Sequence, residues 1–233
     1  MMETEQNNIH HIYSVGEHTL LAVAEVASSR AAISFSEREK AILRWTMLLH
    51  DIEKPGTKYT GKDGQDHFKG HSEKGAETAR RILKRLKFDN NTLDNIEHLV
   101  RWHDYRFELT PASMRKAVSM IGKEHMELLF EVMRADISAK NAQLADSMYE
   151  TLEAARRIYA DIIRRGDCVS LKELNIKGKD LIEAGLKPGK KIGEILNRLL
   201  AAVIEKPELN DRTVLIQMAR QMIDEDLQDK GSQ

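Results

Sequence analysis

The sequence predicts an all-α fold: a helical bundle followed by a C-terminal helical extension. Three observations carry that prediction. Charged residues make up 31% of the chain and aromatics only 5%, with four prolines, a composition that favours helices over a β-sandwich or barrel. Apolar residues recur at three- and four-residue spacing in almost every segment between turn signals. No segment shows the apolar–polar alternation of a half-buried strand. The length, 233 residues, is ample for a buried core and suits one large domain or two small ones.

Residues 1–13 read as an irregular lead-in. From 17 to about 28, Leu20, Leu21, Val23, Ala24 and Val26 keep helical spacing, with His18 in the first turn. Ser36 followed by Glu39 is a capping box that opens a second helix through Ile42, Leu43, Trp45, Met47, Leu48 and Leu49. That helix runs into His50-Asp51, and Pro55 stops it. The Gly-, Lys- and Asp-rich stretch 54–70 is expected to be a loop. A basic-faced helix over 72–87 is entered at His71, and a fourth over 92–104 carries Ile96, Leu99, Val100 and His103. Thr110-Pro111 supplies an N-cap and a proline at the first helical position of a helix to 121, which Gly122 ends. The next helix, 124 to about 141, buries Met126, Leu129, Phe130, Met133 and Ile137 and has Asp136 in its last turns. A long amphipathic helix over 144–165 closes at Gly166. Beyond Cys168 come two short segments joined at 185–189, a helix over 192–204 and a last one from 211 to about 227. The expected domains are 1–143 and 144–233, the second ending in a tail module from about 168. No period of 20–50 residues appears, which argues against a solenoid.

Bulk properties narrow the function. A net charge of −1 provides no global field for nucleic acid, so any RNA contact needs a local patch. The single Cys168 rules out an internal disulfide and a cysteine zinc cluster. The polar, acidic N-terminus is no signal peptide, and no run approaches the roughly 20 apolar residues that span a bilayer. A cytoplasmic protein without membrane association is expected.

Six residues stand out as metal ligands: His18, His50, Asp51, His71, His103 and Asp136. A lone histidine is usually a hydrogen-bonded polar residue. An ordered set of imidazoles and carboxylates instead suits one or two divalent ions such as manganese, nickel, cobalt, iron, zinc or magnesium. Neighbouring residues on a helix point about 100° apart, so His50 and Asp51 can share an ion only at the helix edge, with other helices completing the site. Asp51 is the candidate bridge between two ions, with His71 and His103 serving the second. Asp51 is also a catalytic candidate. Lys54 is a candidate to hold a phosphate oxygen, the alternative being an exposed loop lysine. His10, His11, His98 and His125 are expected at the surface or around the site. His67 is expected to support a ligand rather than be one, and Trp45 and Trp102 to lie in the core. In the tail, between 172 and 198, Lys172, Lys177, Lys179, Lys187, Lys190, Lys191 and Arg198 face four acidic residues, an excess of three positive charges. That adds a modest phosphate-contact contribution, and no aromatic interleaves to stack bases.

His18…His50-Asp51…Asp136 resembles the HD superfamily of metal-dependent phosphohydrolases, which are all-helical, over about residues 11–143. His18-Thr19 and the trailing Ile-Glu-Lys-Pro match, while Glu53 stands where many relatives carry Gly or Ala. His71 in Gly-His-Ser-Glu-Lys-Gly-Ala and His103 in Trp-His-Asp match the added histidines of members that bind two metals. A second resemblance covers nearly the whole chain. Asn7-Asn8, His18-Thr19-Leu20, the stretch 67–76, Ile176-Lys-Gly-Lys-Asp, Leu186-Lys-Pro-Gly and Ile192-Gly-Glu-Ile-Leu are similar to the C-terminal part of bacterial CCA-adding tRNA nucleotidyltransferases, of the poly(A) polymerase family. There the HD region follows a polymerase head and the helical tail helps hold tRNA. The Gly-Ser turn and paired carboxylate of such a head are missing; Asp224-Glu-Asp226 has no glycine-rich turn before it. Nucleotide addition is therefore not expected. The resemblances imply a metal-dependent phosphohydrolase, a phosphodiesterase or phosphatase, acting on a nucleotide or RNA-end phosphate ester. The alternative is a non-catalytic tRNA-binding body that makes its contact through 172–198.

Overall fold

The computed structural model describes residues 1–10, 12–29 and 34–231, with side chains to 225. His11 lies outside the described residues, as does the side chain of Asp226. The helices run α1 (Val15–Ser28), α2 (Glu37–Leu49), α3 (Lys54–Thr57), α4 (His71–Arg85), α5 (Asn90–Trp102), α6 (Pro111–Ile121), α7 (Met126–Ser138), α8 (Ala142–Arg165), α9 (Gly178–Glu183), α10 (Lys190–Glu205) and α11 (Arg212–Gly231). The fold is all-α but for one hairpin.

That hairpin corrects the expectation of no strand and of a plain loop over 54–70. Lys54–Thr57 is a short helix with Pro55 in its first turn, and β1 (Tyr59–Thr60) pairs antiparallel with β2 (Asp66–His67), Tyr59 opposite His67. Gly64, at φ 72°, takes the left-handed conformation the connecting turn requires. Two-residue strands are too short to leave a periodicity in sequence.

Caps explain most helix starts. Ser14 and Glu17 form a capping box on α1, and Ser36 and Glu39 form one on α2. Asp89 accepts from Thr92 N at the start of α5, and Thr110 Oγ1 accepts from Ser113 N at the start of α6. Gly122 (φ 94°) and Gly166 (φ 69°) follow α6 and α8, as their positions predicted.

The chain divides into two compact units. The first comprises 1–107 and 121–156; the second comprises 108–120 and 157–233. This division falls within α8 rather than at 143/144, and it assigns most of α6 to the second unit. In the first unit α1, α2, α4, α5 and α7 enclose Ala22, Leu43, Met47, Ile96, Leu99 and Phe130, all fully buried. Trp45 and Trp102 are half-buried at its margin rather than in the core. Trp45 meets Phe88 edge-on at 5.1 Å, and Trp102 meets Tyr105 at 5.5 Å. In the second unit α9, α10 and α11 pack Ile176, Leu181, Ile195, Leu199, Val203 and Leu215 together. Buried Arg115 of α6 caps the C-terminal end of α10, donating to Ile204 O (2.6 Å) and Glu205 O (3.1 Å) and pairing with Asp167 (3.2 Å).

Candidate metal centre

All six expected ligand residues lie in the first unit, all are buried, and their polar ends converge. His18 comes from the first turn of α1, His50 caps the C-terminus of α2, and Asp51 follows it. His71 opens α4, His103 caps the C-terminus of α5, and Asp136 sits in the last turn of α7. Gly70, at φ 78°, turns the chain into α4 and sets His71 at its first position.

Every imidazole is oriented through Nδ1. His18 Nδ1–H donates to Ala139 O (2.9 Å), His50 to Met47 O (2.7 Å), His71 to Phe68 O (2.8 Å) and His103 to Val100 O (2.7 Å). Metal-binding histidines are held in this way, which fixes the tautomer and turns Nε2 toward the ion. Here the Nε2 atoms face one another in two pairs: His18 and His50 at 3.3 Å, His71 and His103 at 3.2 Å. Two bare imidazole lone pairs at that distance repel unless a cation or proton lies between them.

Asp51 stands between the pairs. Its Oδ2 is 3.2 Å from His50 Nε2 and 3.6 Å from His18 Nε2, while its Oδ1 is 3.5 Å from His71 Nε2 and 3.7 Å from His103 Nε2. Both oxygens are buried; Oδ2 pairs with the Lys54 ammonium, and among the described residues Oδ1 finds no hydrogen-bond donor of regular geometry. Asp136 Oδ1 completes the first group, 2.9 Å from His18 Nε2 and 3.5 Å from His50 Nε2. Two trios, His18-His50-Asp51 and Asp51-His71-His103, bring their ligand atoms close enough to hold an ion each. A mixed imidazole–carboxylate set with a shared, buried carboxylate fits divalent metal ions.

The electrostatics keep both carboxylates charged. Burial opposes the charged form of Asp51, but His50 and Lys54 outweigh it and hold its carboxyl well below the usual range. For Asp136 burial is again the largest single influence, overcome by Lys140, His18 and His50, so its carboxyl is also held low. Burial disfavours charge on His50 too, yet the Asp51 and Asp136 carboxylates raise it to about 9. Burial and the neighbouring His103 lower His71.

Lys54 is not an exposed loop lysine. It is buried in α3, with Nζ 2.8 Å from Asp51 Oδ2, 2.7 Å from Gln6 Oε1 and 5.3 Å above the Phe68 ring. His67 does not support a ligand. It is half-buried on the hairpin, stacks on Tyr59 at 5.3 Å and contacts Asp63 at 3.1 Å. His98 and His125 meet at 4.2 Å with their rings tilted by 32°, His98 also donates to Ile121 O, and His10 is exposed. Two contributors went unread in the sequence: Gln6, which carries no recognisable pattern, and Lys140, whose Nζ lies 2.5 Å from Asp136 Oδ2. The i,i+4 spacing of Asp136 and Lys140, across the end of a helix, was the available signal for the second.

In the tail, part of the basic patch is engaged internally. Lys177 Nζ bonds the carbonyls of Lys172 (2.6 Å) and Leu174 (3.0 Å), whereas Lys172, Lys179, Lys187 and Lys190 are exposed. No helix among the described residues is long and apolar enough to cross a membrane.

The chain is 28% identical over 201 residues to the A-adding tRNA nucleotidyltransferase of Deinococcus radiodurans, covering 84% of this chain and 44% of that one. It is 28% identical over 204 residues to the CC-adding tRNA nucleotidyltransferase of Thermus thermophilus, covering 86% and 43%. Over a shorter stretch of 57 residues it is 47% identical to the CCA-adding enzyme of Ligilactobacillus salivarius, covering 24% and 14%. The chain thus spans less than half the length of these curated relatives. The model of the family described as tRNA nucleotidyltransferase domain 2 (putative) matches residues 71–219, more than half of the sequence, and the chain belongs to that family.

Proposed function

We propose that this chain is a body that holds tRNA or a tRNA-like RNA, of the kind found in CCA-adding-enzyme-like proteins. The family match across residues 71–219 carries this reading, and the relatives' printed names supply the RNA class. The exposed lysines of the tail support it, since each phosphate neutralised releases counterions. The test is a gel-shift with tRNA across a salt series. Binding that weakens steadily with salt is expected; no shift at low salt refutes the reading.

A second reading is favoured by one observation, the convergence of four Nε2 atoms and the Asp136 carboxylate around the buried carboxylate of Asp51. On this reading the first unit is a metal-dependent phosphohydrolase of the HD type, acting on a nucleotide or RNA-end phosphate ester. His18, His50 and Asp136 would hold one ion, His71 and His103 the other, and Asp51 would be shared. Bound ions supply Lewis acidity toward a phosphoryl oxygen and make nearby water more acidic. The protein's own part is orientation: backbone carbonyls fix the imidazoles, Lys54 steadies Asp51, and the buried setting strengthens each charge contact. Purified protein with manganese, nickel or cobalt and a 2′,3′-cyclic nucleotide or aryl phosphodiester is expected to turn over, and Asp51→Ala to abolish it. No turnover with any of these removes the hydrolytic reading and leaves the RNA-holding one intact.

A further inference from the structure

The turn after α7 carries a buried cation that the chemistry above does not use. Lys140 is the residue: its side chain is 12% exposed, and its Nζ lies 2.5 Å from Asp136 Oδ2. The other oxygen of that carboxylate is 2.9 Å from His18 Nε2, so a single carboxylate separates the ammonium from the imidazoles. Lys54 has the matching position on Asp51, 2.8 Å from Oδ2. The turn is pinned on both sides. Ala139 O accepts from His18 Nδ1–H at 2.9 Å, and Asn141 donates from N to His10 O (2.9 Å) and from Nδ2 to Ile9 O (3.1 Å). Lys54 and Lys140 offset Asp51 and Asp136, and Asp104 adds one nearby negative charge, so one divalent ion or two leave the centre net positive. A centre of that charge attracts an anion. A bound ion also draws on the Asp136 carboxylate and loosens its hold on Lys140, whose four-carbon stem lets Nζ turn toward the incoming group.

We propose that Lys140 is a phosphate-binding residue of this site, held on Asp136 until an ion is bound and then donating to a non-bridging phosphoryl oxygen. This deepens the hydrolytic reading and rests on it. With Lys54 it would flank the phosphoryl group from opposite carboxylates, which favours a phosphate ester over a neutral substrate. The experiment is calorimetric titration of the full chain, first with manganese and then with inorganic phosphate, for wild type, Lys140→Met and Lys140→Arg. Circular dichroism checks folding, and Lys140→Gln replaces Lys140→Met should the latter unfold. Lys140→Met is expected to bind manganese at least as tightly as wild type, since a competing cation is gone. It is expected to bind phosphate about tenfold or more weakly, the loss of one charge-assisted hydrogen bond. Lys140→Arg should retain part of the phosphate affinity. Unchanged phosphate affinity in Lys140→Met overturns the proposal, and so does parallel loss of manganese, which would make Lys140 only a support for Asp136. Absence of phosphate binding by manganese-loaded wild type overturns it as well. If wild type takes up no manganese, the hydrolytic reading itself fails, a result distinct from the others.

Discussion

Metal addition should stabilise the first unit, and the structure gives the size of the effect. The six candidate ligand residues come from α1, α4 and α7 and from the ends of α2 and α5, so the cluster exists only in the folded state. An ion that binds only the folded form stabilises by RT ln(1 + [L]/Kd), about 2.7 kcal/mol at a hundredfold excess over Kd. For a chain of this size each kcal/mol moves Tm by roughly 2–4 °C, so the expected rise is about 5–10 °C. The perturbation is Asp51→Asn, which keeps the shape and removes the charge shared by both trios. Differential scanning fluorimetry with EDTA as baseline, then with manganese, nickel, cobalt or zinc in turn, reads the shift. Asp51→Asn should lose most of it, less than about 2 °C remaining by the same conversion. Its own baseline will be lower, because Lys54 is left buried without its carboxylate. His67→Asn, on the hairpin, should keep the full shift. A wild-type Tm indifferent to all four metals, or a full shift in Asp51→Asn, would refute the reasoning.

Glu131 is buried in α7 between Arg134 (3.0 Å) and Arg156 (3.1 Å); Glu131→Ala leaves these guanidiniums to Glu25 (2.6 Å) and Glu127 (3.4 Å) and should cost about 1–3 kcal/mol by urea denaturation. Asp180 bonds Arg212 (2.7 Å) and the Lys177 amide (2.6 Å), and these contacts hold its carboxyl below the ordinary 3.8. A depressed folded value means stabilisation that is complete above that pH and lost as pH falls through the lower value. The Tm gap between wild type and Asp180→Asn should therefore be constant at neutral pH and close in acid; a gap that persists at low pH counts against the assignment. On the RNA-holding reading, Lys179→Glu and Lys187→Glu should weaken tRNA binding regardless of sequence, and each should flatten the salt dependence by roughly one unit of slope.

Much of this was legible from sequence, for reasons that differ by element. The helices were readable because their apolar spacing and caps are local: Ser36 and Glu39, or Thr110 and Pro111, act within one turn. The hairpin was not readable, because its two-residue strands are too short for period, and Asp66 is held there by Asn7 from far along the chain (2.8 Å). Lys54 illustrates the same limit. Its neighbours in sequence suggested a loop, whereas Gln6, 48 residues away, and Phe68 bury it. The ligand residues could be named because chemistry restricts metal donors to few types. Their supports could not, since any residue offers a carbonyl.

The way those supports are distributed explains how four imidazoles come to be aimed from separate helices. His50, His71 and His103 each donate to the carbonyl three residues earlier, Met47, Phe68 and Val100. Each sits at a helix end, where carbonyls lack intrahelical partners or the chain turns in, so the ring is oriented by its own few residues. These three should hold their aim whenever their helices form. His18 differs, because its partner is Ala139, 121 residues on, in the turn that also carries Lys140 and is tied to the N-terminal segment through Asn141. The aim of His18 thus depends on α1, α7 and residues 9–10 assembling together. Disturbing that turn with Asn141→Ala should weaken the ion held by His18, His50 and Asp136 and spare the one held by His71 and His103. Manganese titration should then show one weakened and one unchanged site; equal weakening of both would mean that the two ions do not bind to separable sets of ligands.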